Sequence, residues 1–145
     1  MIWNLFSRRE PQTLSDDQKA DFAKTIAGML ELQLMIIPDN TAIETETGRP
    51  KSKSIGYVYG FVDAVLRSKG YDMSDSEVGS PITFHVLRTM WPGREADYYE
   101  FLVDNLYDNA VNAGMLRGGQ QYTDWVKGLM SGVPTGLAQL ILSEK

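Results

Sequence analysis

The sequence predicts an all-α fold: a single compact domain of about six helices packed around a central apolar helix at residues 55–69. Two observations support this prediction. Apolar residues recur at spacings of three and four in several segments, which is the period of a helix face. The stretch Ile55–Leu66 holds one charge, Asp63, in twelve residues and is apolar most of the way round, as is typical of a helix at the centre of a bundle. With 145 residues, 43% of them hydrophobic, the chain is long enough to bury a core.

The central helix has a suitable residue at each end and small residues along one side. Ser54 can cap its start, and Gly70 suits the left-handed position after its last turn. Gly56 and Gly60 lie one turn apart, with Ala64 a further turn on, so another backbone or a ligand can approach closely. We expect tight packing of a second helix in this groove.

The single charge of the central helix has two interpretations. Asp63 either lies at the helix edge, where it faces solvent or pairs with Arg67 one turn on, or is a buried functional carboxylate. The spacing of four residues favours the edge position.

Capping residues and chain breakers delimit the other elements. An N-terminal arm, residues 1–12, precedes a helix that Ser15 and Gln18 start as a capping box and that Pro38 ends. A long polar loop spans 39–53. The pattern then predicts helices over residues 80–90, 94–113, 122–130 and 136–144, with Gly114 and the segment 117–119 separating the second of these from the third.

The N-terminal arm begins with the apolar run MIWNLF. We expect Trp3 and Phe6 to pack on the body of the protein, since one short segment binds a bilayer weakly. The alternatives are a small membrane or partner anchor and exchange of the arm between protomers, which would form a homo-oligomer.

The loop at 39–53 segregates its charges. Its acidic residues come first, and Arg49, Lys51 and Lys53 follow. It is either a solvated linker or a recognition loop whose basic half meets an acidic partner or a phosphate. No glycine-rich phosphate-binding pattern accompanies it.

The predicted helix at 94–113 carries acidic residues at spacings of three and four, namely Asp97, Glu100, Asp104 and Asp108. Such a stripe is typical of a solvated helix face. It is also a surface to which a basic partner would be drawn. A divalent cation site or an acid and base pair like that of a glycosidase is a weaker interpretation.

Composition excludes several classes of chemistry. The chain has no cysteine and one histidine, so disulfides, thiol chemistry and multi-histidine metal sites are excluded, and we predict no metal and no cofactor. No serine lies in a nucleophile-elbow motif around which His85 could act. The net charge of −5 and the acidic segment 72–108 argue against nucleic acid. No apolar run is long enough to span a bilayer, and without a signal peptide we expect the cytoplasm.

The sequence does not identify a function, and we therefore hold three hypotheses. The first is a small cytoplasmic protein–protein interaction or regulatory module, such as an adaptor, an inhibitor or immunity-type binder, or a complex subunit. The acidic stripe would contact a basic protein partner, and the basic residues of the loop would form a second contact. On this hypothesis the protein is not an enzyme.

The second hypothesis is a small-molecule-binding protein with an aromatic pocket between helices. The residues proposed to line that pocket are Gly56, Tyr57, Gly60, Phe61, Trp91, Tyr98 and Tyr99. The third hypothesis, a carboxylate-based hydrolase using Asp63 or the acidic stripe, has no spacing signature to support it.

Overall fold

The computed structural model describes residues 14–39 and 41–145. The N-terminal arm, with the self-association predicted through it, lies outside the described residues. The described chain is all-helical, as predicted, and has no strand. Its six helices are α1 (Asp16–Leu34), α2 (Ser52–Ser68), α3 (Gly79–Met90), α4 (Glu95–Asp104), α5 (Asn109–Val126) and α6 (Gly136–Ser143).

Helix α2 occupies the centre of the structure, as the apolar stretch predicted. It contacts each of the other five helices, and Tyr57 and Phe61 are among the largest fully buried side chains of the described residues. Gly70 follows the helix with a φ of +85°, which confirms its left-handed position. The predicted cap Ser54 is wrong, because the helix already begins at Ser52 and Ser54 lies buried within its first turn.

A carboxylate from the far end of the chain caps α2 instead. The Glu144 side chain accepts hydrogen bonds from the backbone N–H of Lys53 at 2.9 Å and of Ser54 at 2.6 Å. It also accepts one from the Ser54 hydroxyl at 2.6 Å. The otherwise unpaired N–H groups at the start of the most buried helix are therefore satisfied by a residue some 90 positions later.

The groove on α2 is filled by α5, which runs parallel to it. A Cβ atom added at Gly56 would lie 2.2 Å from the carbonyl oxygen of Val111, and one at Gly60 would lie 2.0 Å from that of Met115. The contact is reciprocal, since a Cβ at Gly118 would lie 2.1 Å from the Tyr57 carbonyl oxygen. The two backbones meet where only glycine fits, which confirms the tight helix packing expected at Gly56 and Gly60.

The predicted helix at 94–113 is wrong in its extent. The chain forms α4 to Asp104, turns through residues 105–108 and starts α5 at Asn109. Asp108 caps the new helix, its Oδ2 accepting the N–H groups of Ala110 at 3.1 Å and Val111 at 3.2 Å. Contrary to the prediction, Gly114 does not end a helix and the segment 117–119 is not a break between helices. Both Gly114 and Gly118 lie within α5 on the side that contacts α2.

A buried polar cluster joins α1, α2, α5 and α6. The Tyr57 hydroxyl donates to Gln121 Oε1 at 2.6 Å and accepts from Gln33 Nε2 at 3.1 Å. The two glutamine oxygens in turn accept the N–H groups of Gly136 and Leu137, each at 3.0 Å. These bonds cap α6, whose preceding residue Thr135 makes no side-chain cap.

Candidate functional site

Helix α4 presents an acidic face to solvent. Its exposed positions, which we call the α4 outer face, are Ala96, Asp97, Glu100, Val103 and Asp104. Asp97 Oδ2 accepts a hydrogen bond from Arg94 Nη1 at 2.7 Å. Glu100 and Asp104 form no ion pair with any residue that the structure describes. Two exposed carboxylates therefore lie one turn apart on this face.

Large apolar side chains are exposed on and beside the α4 outer face. Val103, on the face itself, is 52% exposed, and Tyr107, in the link to α5, is 97% exposed. Asp108, predicted as the fourth member of one acidic stripe, lies beyond the end of α4 and accepts backbone hydrogen bonds as the α5 cap. The structure therefore keeps three of the four predicted acidic residues on one helix face.

The three basic residues predicted as a second contact have three different environments. The Arg49 guanidinium lies over the Phe101 ring of α4, 5.3 Å from its centroid. Lys51 Nζ donates to the Ile141 carbonyl oxygen at 2.7 Å, close to the end of α6. Lys53 is exposed in the first turn of α2. Of the three, Arg49 is the one that contacts α4.

The loop at 39–53 contains an ordered turn rather than a solvated linker. Its segment 43–51 folds back on itself, with the Lys51 N–H donating to the Ile43 carbonyl oxygen at 2.7 Å and the Thr45 N–H to that of Arg49 at 2.7 Å. Ile43 is 3% exposed and belongs to the core. We call this segment the 43–51 hairpin.

Glu44 ties the 43–51 hairpin to α4. Its Oε1 accepts a hydrogen bond from the Tyr98 hydroxyl at 2.6 Å and another from Arg94 Nε at 2.7 Å. The bond from Tyr98, with that of Arg94 and against the effect of burial, lowers the pKa of Glu44 below its ordinary value. Burial, with a contribution from Glu44, raises the pKa of Tyr98 to about 12. At neutral pH the site therefore holds an ionised carboxylate beside a neutral phenol.

A pocket of about 420 Å³ lies beside Glu44. Asp39 and Tyr98 share its lining with Glu44. Its apolar walls come from the ends of α1, α3 and α6 and from the hairpin, and include Leu34, Ile37, Ile43, Met90, Trp91 and Ile141. We call this cavity the Glu44 pocket.

The structure does not gather the seven residues of the predicted aromatic pocket around one cavity. Tyr57 and Phe61 stack within the core at a ring separation of 6.1 Å, and the glycine groove beside them is filled by α5. Tyr99 packs against Phe84 at 6.1 Å. Trp91 and Tyr98, 5.7 Å apart, are the two predicted members that line the Glu44 pocket. Two of the seven residues therefore line this cavity, and close packing of α5 fills the glycine side of the groove.

The carboxylates considered for hydrolysis have other partners or are exposed to solvent. Asp63 forms an ion pair with Arg67 one turn on, which confirms the edge position. In residues 14–39 and 41–145, no three potential metal-ligating side chains come together. Within the same residues, no helix combines the length and the apolar character needed to cross a membrane.

Sequence reasoning missed the residues that organise the helix ends. Gln33 lies among the core-facing positions of α1 and is 1% exposed. A polar residue at such a position indicates a buried hydrogen-bond partner, and this signal was present in the sequence. Gln121 and Glu144 had no signal of this kind, because their partners lie 15 and 90 residues away in sequence.

Comparison of the chain with protein-family models, with curated proteins and with solved structures gives no match in any of the three. The function must therefore be argued from the geometry of these surfaces.

Proposed function

We propose that this protein is a small helical interaction module whose α4 outer face binds a basic protein partner. The observation that carries the proposal is the combination of exposed carboxylates at Glu100 and Asp104, which have no ion pair among the described residues, with exposed apolar side chains at Val103 and Tyr107. Protein interfaces commonly place aromatic and aliphatic anchors inside a polar rim. The carboxylates would steer a basic partner, and the anchors would supply contact area.

The neighbouring contacts support a rigid binding surface. Tyr98 and Phe101 hold the inner side of α4 against Glu44 and Arg49 of the 43–51 hairpin. A surface that is already held in place loses less conformational entropy when a partner docks. Arg49 itself is exposed beside α4 and would contact an acidic group of the same partner. A regulatory or adaptor role in the cytoplasm is consistent with a cysteine-free, acidic chain.

Affinity capture of the tagged protein from a native lysate, at low and at high salt, tests this function. We expect one stoichiometric partner that is retained at low salt and lost at high salt, because screening weakens contacts between exposed charges. The double variant Glu100→Lys/Asp104→Lys should lose the partner at both salt concentrations.

The matched control is Asp21→Lys/Glu31→Lys. It makes the same change in net charge on α1, where both residues are exposed. Retention of the partner by the α1 variant and its loss from the α4 variant would support the proposed face. Equal retention by both variants would contradict it.

A further inference from the structure

We propose that the Glu44 pocket binds an organic cation, that is, an ammonium or guanidinium group carried on an apolar stem. This site lies on the inner side of α4, opposite the α4 outer face, and does not depend on the function proposed for that face. Its volume of about 420 Å³ falls within the range of small-ligand sites and is large enough for one aromatic or aliphatic amine.

The oriented carboxylate is the first argument. Tyr98 and Arg94 both donate to Oε1 of Glu44, and no group in the described part of the chain donates to Oε2. The Glu44 side chain is 28% exposed, so this second oxygen is left for solvent or a ligand. A carboxylate that is already held in place binds a cation without first losing its own rotational freedom.

The balance of charge is the second argument. Arg94 is shared between Glu44 and Asp97, with hydrogen bonds of 2.7 Å to each. Asp39 is a further carboxylate in the pocket lining and has no ion pair in the described residues. Glu44 and Asp39 line the pocket, and none of the described lysine or arginine side chains does, which leaves the pocket negative. A negative pocket favours a cation and disfavours an anion.

The aromatic and apolar lining is the third argument. Trp91 is half-buried and packs edge-on against Tyr98, with ring centroids 5.7 Å apart. The Arg94 guanidinium lies 5.3 Å from the centroid of the Tyr98 ring, within the range of a cation–π contact. An apolar stem would replace water against Leu34 and Ile37 while the charged head meets Glu44.

The test is an NMR titration of the ¹⁵N-labelled protein with benzylamine and, separately, with benzyl alcohol, which has nearly the same shape and no charge. The reporter is the indole N–H resonance of Trp91, which the variant Trp91→Phe identifies. We expect benzylamine to shift this resonance in a saturable manner and benzyl alcohol to bind at least tenfold more weakly. The indole resonance of Trp125, which does not line the pocket, should stay in place.

Glu44→Gln should weaken benzylamine binding by about tenfold, since the ligand loses a charge-assisted hydrogen bond. Its matched control is Glu46→Gln, which removes the same charge from the exposed tip of the same hairpin and should leave binding unchanged. Asp39→Asn is the second variant, because it removes a lining charge without touching the bonds to Arg94 and Tyr98. It should weaken binding by a few fold even if Glu44→Gln loosens the hairpin.

Equal binding of benzylamine and benzyl alcohol, or no shift of Trp91 at millimolar benzylamine, would overturn the proposal. Benzylamine binding that survives both Glu44→Gln and Asp39→Asn would overturn it as well. The result of the capture experiment on the α4 outer face has no bearing on any of these outcomes.

Two sources could supply this chemistry, a free amine and the lysine or arginine side chain of a partner. The second titration therefore compares n-butylamine with a blocked lysine peptide of five residues. A side-chain source predicts that the peptide binds more tightly than butylamine. A free amine predicts that butylamine binds as tightly as the peptide.

Discussion

Among single residues, Tyr57 has the widest structural role, because its hydroxyl lies where four helices meet. It bonds both Gln33 and Gln121, and these two side chains satisfy the first N–H groups of α6. A fully satisfied buried network of this kind specifies one arrangement of helices, since any other arrangement leaves polar atoms unpaired.

Tyr57→Phe should lower the free energy of unfolding by about 1–2 kcal/mol, because the amide of Gln33 loses its buried partner. Urea denaturation monitored by circular dichroism measures this. Tyr107→Phe is the control, and since that hydroxyl is in solvent we expect no change above about 0.5 kcal/mol. A loss in Tyr57→Phe no larger than in the control would contradict a structural role for the network.

At the scale of elements, the parallel contact between α2 and α5 is the most extensive one between helices of the described residues. The sequence predicted half of it, since Gly56 and Gly60 one turn apart indicated a groove on a central helix. It did not predict the other half. In a sequence, a glycine such as Gly114 or Gly118 is compatible either with the end of a helix or with a close contact between two helices. Which of the two applies here depends on where α2 lies in the folded protein. The sequence also did not predict the link at 105–108. Asp108, which caps α5, continues the spacing of the acids before it, so the segment looked like one uninterrupted helix.

Gly118→Ala should destabilise the protein by about 2–3 kcal/mol, since its Cβ would lie 2.1 Å from the Tyr57 carbonyl oxygen and the helices must separate. Gly28→Ala in α1 is the matched control. Nothing lies within 4 Å of its Cβ, so the better helix propensity of alanine should stabilise the protein by about 0.5–1 kcal/mol. Thermal melts distinguish these opposite signs, and equal effects of the two changes would argue against direct backbone contact.

At the scale of the whole molecule, the charged surfaces were predicted better than the pockets. The exposed acids of α4 are local in sequence, so a helical period was enough to place three of them on one face. The Glu44 pocket joins the ends of three helices to a hairpin, and no local pattern predicts that Glu44 and Tyr98 meet across 54 residues. The sequence also does not show which aromatic residues lie in the core, as Tyr57 and Phe61 do, and which line the pocket, as Trp91 and Tyr98 do, because this depends on tertiary packing.

Stability should fall as the pH rises from about 10 to about 12. Burial raises the pKa of Tyr57 and of Tyr98 to about 12 and also raises that of Tyr59. In the unfolded chain these phenols ionise near pH 10. A group whose pKa is higher in the folded state stabilises the fold below the unfolded value, and this contribution is lost as the pH rises through the folded value.

Urea denaturation at a series of alkaline pH values measures how the free energy of unfolding changes with pH. Tyr57→Phe and Tyr98→Phe should each make stability less dependent on pH between about 10 and about 12. An alkaline slope that is identical in the wild type and both buried-tyrosine variants would contradict the assignment.

The pairing of α2 with α5 also has a consequence during synthesis. The apolar segment 55–66 leaves the ribosome before the residues that cover its glycine side have been translated, because Gly118 lies about 58 residues after Gly60. At roughly 5–20 residues per second, this segment waits about 3–12 s for its partner helix. A nascent chain stopped before residue 109 should therefore be a substrate for chaperones that bind apolar segments, and release should follow once α5 has emerged.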